Sequence, residues 1–328
     1  MDLKKKNVLL FSDFGIDDIV AAIFALFSDE INVVGIVADY GNVSRKDALR
    51  NAAFLQEVTG MKSIPIFGGA VLPLTGERPV YYPEVHGFEG LGPIDPNMEV
   101  NPDLFENFNE IVPLIEKHEN DLIIVNIGRL SSLATAFILY PNLMKKISDF
   151  YIMGGAFNFP GNVTPVAEAN FYGDPYAAKI LINESPKKIH IMPLNVTMSA
   201  IVTPSIIDVL HQHYETTQNK TGQIVKPMVD YYYSFYQKTN PGISGSPLHD
   251  VFTLWALFDD SGVVYQEAPV QVVVDHGIAF GQSIGDFRKA PDLEAKEYKI
   301  HKVAVQFNYQ SFIKSFFDVM KNHNGKLA

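Results

Sequence analysis

The feature that most constrains this chain is a rhythm. Short, mostly apolar runs, rich in β-branched residues, recur between longer amphipathic stretches. The runs are Val8–Phe11, Val33–Val37, Leu122–Val125, Phe150–Met153, Ile189–Met192, Val270–Val274 and Val303–Phe307. Short apolar runs bounded by turn residues read as strands buried on both faces. Between them, helical periodicity covers Asp17–Phe27, Arg45–Val58, Phe105–Lys117, Pro175–Ile182, Pro204–His213, Gln223–Lys238 and Asp250–Phe258. Strand–helix alternation of this kind predicts an α/β fold: an open, mostly parallel, Rossmann-like sheet with helices on both faces. No internal repeat or linker interrupts it, so residues 1–328 are expected to form a single domain. The Gly/Pro-rich stretches 68–92 and 239–247 read as long functional loops. In such sheets ligands bind beyond the carboxyl ends of the strands, so the loops after each strand are where chemistry is expected.

Composition narrows the partners. Hydrophobic residues make up 47% of the 328 and charged residues 19%, enough apolar material for a large core. The net charge of −11 disfavours phosphate backbones and anionic membranes. The basic run Lys4-Lys5-Lys6 is too short for a nucleic-acid patch. The chain has no cysteine, which removes disulfides, thiolate metal sites and cysteine nucleophiles from consideration. Val8–Phe11 is too short for a signal-peptide core, and no run approaches the ~20 apolar residues of a membrane span. The expectation is a cytoplasmic protein with neither nucleic acid nor membrane as partner.

After the first strand comes Ser12-Asp13-Phe14-Gly15-Ile16-Asp17-Asp18. Helix capping accounts for Asp17 and Asp18, whose charge suits a helix N-terminus. It does not account for Asp13, which precedes the turn. Three carboxylates this close repel one another unless a cation holds them, and hard oxygens select calcium or magnesium. Capping and metal binding are evenly matched on spacing alone.

Asp13-Phe14-Gly15-Ile16-Asp17-Asp18 resembles the N-terminal signature of the inosine–uridine nucleoside hydrolase family, and further motifs of that family come after it in order. They are Gly41-Asn42-Val43-Ser44, His86-Gly87-Phe88-Glu89-Gly90-Leu91-Gly92, Ile127-Gly128-Arg129-Leu130-Ser131, Met153-Gly154-Gly155-Ala156, Gly161–Asn170 and Pro247-Leu248-His249-Asp250. The resemblance implies calcium-dependent hydrolysis of the N-glycosidic bond of a ribonucleoside, by a homodimer or homotetramer. It implies Ca2+ held by Asp13, Asp18, Asp250 and the main-chain carbonyl of Ile127, with Asp13 as the base that activates water. It assigns the ribose to Asp17, Asn42, Asn162, Glu168 and Asn170, and the leaving base to His249 as acid. His86 and the helix bearing Tyr232 and Tyr236 are expected near the base, although an aromatic stripe is more often core. Asn42 and Asn162 sit in Asn-X-Ser/Thr triplets, where the sugar-binding role replaces a glycan one. Two positions depart from the family: Phe11, where an aspartate is usual, and Asn195, likewise. They motivate an alternative, a catalytically weak nucleoside- or ribose-binding protein on the same fold. An aspartyl phosphatase would need a carboxylate at Phe11, and a dinucleotide-binding turn would need G-x-G-x-x-G.

Overall fold

A computed structural model describes residues 4–288 and 298–322. Eleven strands are present among them: β1 (Lys6–Ser12), β2 (Ile31–Ala38), β3 (Ile66–Gly68), β4 (Leu122–Asn126), β5 (Asp149–Met153), β6 (His190–Met192), β7 (Ile201–Val202), β8 (Ser246–Pro247), β9 (Val263–Val272), β10 (Ser283–Gly285) and β11 (Ile300–Phe307). Nine form one sheet in the order β10-β9-β11-β6-β5-β4-β1-β2-β3, and β7 pairs with β8. From β11 through β3 every pairing is parallel, while β9 runs antiparallel to both β11 and β10.

Each predicted run lies in a strand, apart from end residues, but the Val270–Val274 run differs in kind. It ends β9, whose residues alternate between buried and open in its second half, as in an antiparallel edge region with one wet face. In β1 the two faces separate cleanly. Val8 and Leu10 join one apolar cluster, Leu9 and Phe11 the other, as a period of two requires. The first cluster takes the Ile16–Phe27, Arg45–Thr59, Val225–Thr239, His249–Trp255 and Tyr309–Asn322 helices, and the second takes Ile111–Lys117, Ser131–Leu139 and Pro175–Glu184. The Ile16–Phe27 helix is apolar almost all round because it is enclosed on all sides, with eleven of its twelve residues buried.

Three boundaries move. The predicted 105–117 helix is two short 3₁₀ turns and then Ile111–Lys117, with Pro113 inside the first turn, where its missing N–H costs no bond. The 68–92 loop contains a one-turn helix, Pro83–His86. The 250–258 helix spans His249–Trp255 with Leu248 as N-cap, so Asp250 lies inside the first turn. No described helix is long and apolar enough to cross a membrane.

Candidate active site

The parallel strands end side by side, and the loops beyond their carboxyl ends converge. Asp13 comes directly after β1, Asn42 after β2 and Ile127 after β4, and Glu168 and Asn170 lie in the loop and turn after β5. The Asp13–Gly15 turn is tight: Phe14 adopts φ 49, a left-handed conformation costing a bulky residue about 1–3 kcal/mol. Burial of its ring in the core and a hydrogen bond from Asn51 Nδ2 to its carbonyl (3.1 Å) hold it there. Gly41 lies so close that a Cβ would come within 1.8 Å of Asp13 Oδ2, so only glycine admits the carboxylate.

Asp18 is the hub of the turn. Its carboxylate accepts from Ser12 Oγ (2.7 Å), the N–H groups of Asp13 (3.2 Å) and Gly15 (3.0 Å), and Asn42 Nδ2 (3.1 Å). Asp13 accepts from the backbone and side chain of Asn42 at 2.7 and 3.1 Å. Carboxylate oxygens of Asp17, Asp18 and Asp250 lie within 4.8 Å of one another, all three buried. Burial, then the Asp17, Asp18 and Asp13 charges, push Asp250 well above the usual carboxylate range. Asp13 is driven up by burial and Asp18, and Asp17 is pushed up to about 7 by burial and Asp18. Asp17 Oδ1 is buried without a hydrogen-bond partner. An all-oxygen donor set, mutual repulsion and an unsatisfied buried oxygen are together what a hard divalent cation relieves. The sequence placed Asp13 among the ligands and Asp17 with the ribose; in the structure Asp17 also belongs to the converging three, while both oxygens of Asp13 engage Asn42.

Above this floor opens a cavity of about 550 Å³. Asp17, Asn42, His86, Ile127, Asn162, Glu168, Asn170, Tyr232, Tyr236, His249 and Asp250 all line it, while Asp13 and Asp18 lie beneath. Glu168 is held by three N–H groups, from Asn170, Gly155 and Phe171, at 2.7–3.1 Å. Asn162 Oδ1 accepts from Ala169 N–H at 3.0 Å. Tyr232 and Tyr236, four apart on one helix, turn the same face inward. The Tyr232 hydroxyl donates to Asp17 Oδ2 (3.0 Å) and meets that of Tyr236 (3.4 Å). Tyr236 continues to His249 Nε2 (2.9 Å), and His249 Nδ1 meets Thr197 Oγ1 (2.8 Å). Because Tyr232 donates to a carboxylate, the chain runs one way: Tyr236 donates to Tyr232, His249 Nε2–H to Tyr236, and Thr197 to Nδ1. Burial takes His249 down to about 4, so its ring is neutral near pH 7. His86 is buried at the pocket wall, not on the surface, with Nδ1 accepting from Ile16 N–H (3.1 Å).

Sequence reasoning missed Tyr82, Met153, Met198, Phe235 and Asn240 in the lining, and Thr197 and Arg129 behind it. Arg129 and Met153 stood within recognised motifs and Thr197 two residues after Asn195, where a fuller accounting of each segment could have found them. The two departures from the family turn away from the cavity. Phe11 is fully buried in the apolar cluster on the far face of the sheet. Asn195 accepts from Phe157 N–H (3.0 Å) and donates to Phe157 O, a pairing that an aspartate cannot make.

Comparison with known proteins bears on the family and the fold. The family profile described as "Inosine-uridine preferring nucleoside hydrolase" matches residues 8–314. The inosine-uridine preferring nucleoside hydrolase of Crithidia fasciculata is 28% identical over 94% of this chain and 95% of its own length. A probable uridine nucleosidase 2 of Arabidopsis thaliana is 32% identical, covering 96% and 97%. Among solved structures, a plant nucleoside hydrolase superposes with a TM-score of 0.87 at 29% identity, covering 97% of this chain and all of the other.

Proposed function

The chain belongs to the inosine-uridine preferring nucleoside hydrolase family, and as a nucleoside hydrolase acting on N-glycosyl bonds we propose that it frees ribose and a nucleobase from ribonucleosides with the help of calcium. The observation that carries this reading is the convergence of Asp17, Asp18 and Asp250 under a cavity walled by amides, a carboxylate, phenols and imidazoles. We assign the ion to Asp13, Asp18, Asp250 and the Ile127 carbonyl, with Asp17 within reach. A bound calcium ion would polarise and orient a water molecule.

Asp13 would serve as the base that accepts the proton of the attacking water. Its bonds to Asn42 keep its carboxylate fixed in direction. Asp17, Asn42, Asn162, Glu168 and Asn170 grip the ribose hydroxyls, carboxylates accepting and amides doing both. The acidic floor favours the positive charge that develops on the sugar as the bond to the base breaks. At the base end, His249 is assigned as the acid, reached through the Tyr236 hydroxyl 2.9 Å from its Nε2; because its resting ring is neutral, it must take up a second ring proton before it can give one to the leaving base. His86 shares that wall, 5.6 Å ring to ring from Tyr232. We read residues 1–328 as one domain, working in the cytoplasm as a homodimer or homotetramer.

The test is ribose release from inosine, adenosine, uridine and cytidine, with calcium and after chelation. Chelator-sensitive release is expected. Folded, calcium-loaded protein that binds nucleosides and releases no ribose would replace this reading with the binding-protein one.

A further inference from the structure

Arg129 is a buried cation behind a wall of carboxylates, amides and phenols. It is 2% exposed, and its Nη1 donates to Asn170 Oδ1 at 2.6 Å. The guanidinium faces the Tyr82 ring, 5.8 Å from its centroid. It also packs against Gly173, where a Cβ would come within 2.3 Å of Nε. Asn170 passes the contact on, donating through Nδ2 to the carbonyls of Ile127 (3.0 Å) and Met153 (3.3 Å). An amide has nearly the same shape either way round. Here only one orientation presents oxygen to the cation and hydrogen to the two carbonyls. Arg129 therefore fixes which end of Asn170 meets Ile127, and its planar fork holds that geometry as a flexible ammonium cannot.

We propose that Arg129 is a positioning residue that acts through the Asn170 amide to hold the Ile127 carbonyl in its orientation, and thereby sets the calcium affinity of the floor. This rests on the calcium reading given above. The guanidinium has a second, opposite influence, since a positive charge near a cation site repels the cation. The two influences differ in sign and are separable.

The experiment is calorimetric titration of the intact protein with calcium chloride. Variants are Arg129→Met, Arg129→Lys, Asn170→Ala and the Arg129→Met/Asn170→Ala pair. Arg129→Met is expected to weaken binding roughly 10–100-fold, the range for groups that orient metal ligands. Arg129→Lys, which keeps the charge and loses the fork, falls between it and the wild type, and it still tests the idea if Arg129→Met does not fold. With Asn170 already removed, Arg129→Met brings no further weakening. Unchanged or tighter binding by Arg129→Met would make the residue a countercharge and overturn the proposal. So would equal weakening in the Asn170→Ala background. A wild type that binds no calcium overturns both this inference and the calcium reading, whereas a binding wild type with unchanged variants overturns the inference alone.

Discussion

Replacing Asp13 by asparagine separates chemistry from folding at one position. Asp13 accepts two hydrogen bonds from Asn42, at 2.7 and 3.1 Å. Asparagine can keep one of them, and a bond to a charged acceptor contributes about 1.5–3 kcal/mol. Against that loss, the substitution takes one like charge out of a buried cluster in which burial and Asp18 already drive the Asp13 carboxyl upward. The two effects oppose each other, so the net change in stability is expected near 1 kcal/mol, or about 1.5 °C in Tm for a chain of this length. Turnover has no such offset. An amide cannot accept the proton of the attacking water, and a positioned base typically contributes about 10²–10⁴-fold. Ribose release by Asp13→Asn should therefore fall by two to four orders of magnitude, mostly in kcat, while calorimetry shows a cooperative transition close to that of the wild type. A folded variant that retains near-normal turnover would remove Asp13 as the base and pass the role to one of the acids that line the cavity, Asp17, Glu168 or Asp250.

Three further outcomes are expected. His249→Ala should slow nucleosides with poor leaving groups more than an activated nitrophenyl riboside; equal slowing of both would argue against an acid role for the Tyr236–His249 pair. Asp39 is fully buried outside the floor, with burial pushing it up to about 7 and Oδ2 unpartnered. Its folded pKa exceeds its unfolded value near 4, so its favourable contribution is complete below about pH 4 and is lost as pH rises through 7. Asp39→Asn should accordingly gain stability relative to wild type between pH 5 and pH 8, and a pH-independent difference in urea unfolding would refute the assignment. Restoring the residue usual in the family by Phe11→Asp should not raise activity. It places a carboxylate among apolar side chains and forfeits a buried ring, a loss of at least about 3–5 kcal/mol, readable as a collapse of the unfolding midpoint.

What could be read from the sequence was what chain-local physics decides. Val8–Phe11 or Leu122–Val125 can be little else than buried strands, and Asp13, Asp17 and Asp18 announce themselves by proximity. The three-residue β3 is too short for any period to show. The Tyr309–Asn322 helix was legible in principle, since its buried residues Phe312, Phe316 and Met320 recur every four positions, yet it carried no motif to draw the eye. His249 was found by its neighbour Asp250, whereas its partner Thr197 lies 52 positions away. Tyr82 and Arg129 meet only because a loop after β3 and the turn after β4 end at the same edge of the sheet. Phe11 and Asn195 read as defects in one dimension and as packing choices in three.

The floor and the base-facing wall are anchored to different parts of the molecule. Most of the floor (Asp13, Asp17 and Asp18) follows β1, which is locked in register between β2 and β4, so a shift of one residue would carry those carboxylates away from Asp250. The wall proposed to face the base is formed in part by one helix, Val225–Thr239, which packs on the first apolar cluster and reaches the floor through the Tyr232 hydroxyl on Asp17. On the proposed reading, substitutions along that helix away from Tyr232 reshape which bases are admitted without disturbing the strand ends below. A lineage built on this plan is free to diversify in leaving-group preference while its bond-breaking apparatus stays still, and laboratory selection for a new base should collect its changes along that helix before it touches the acids.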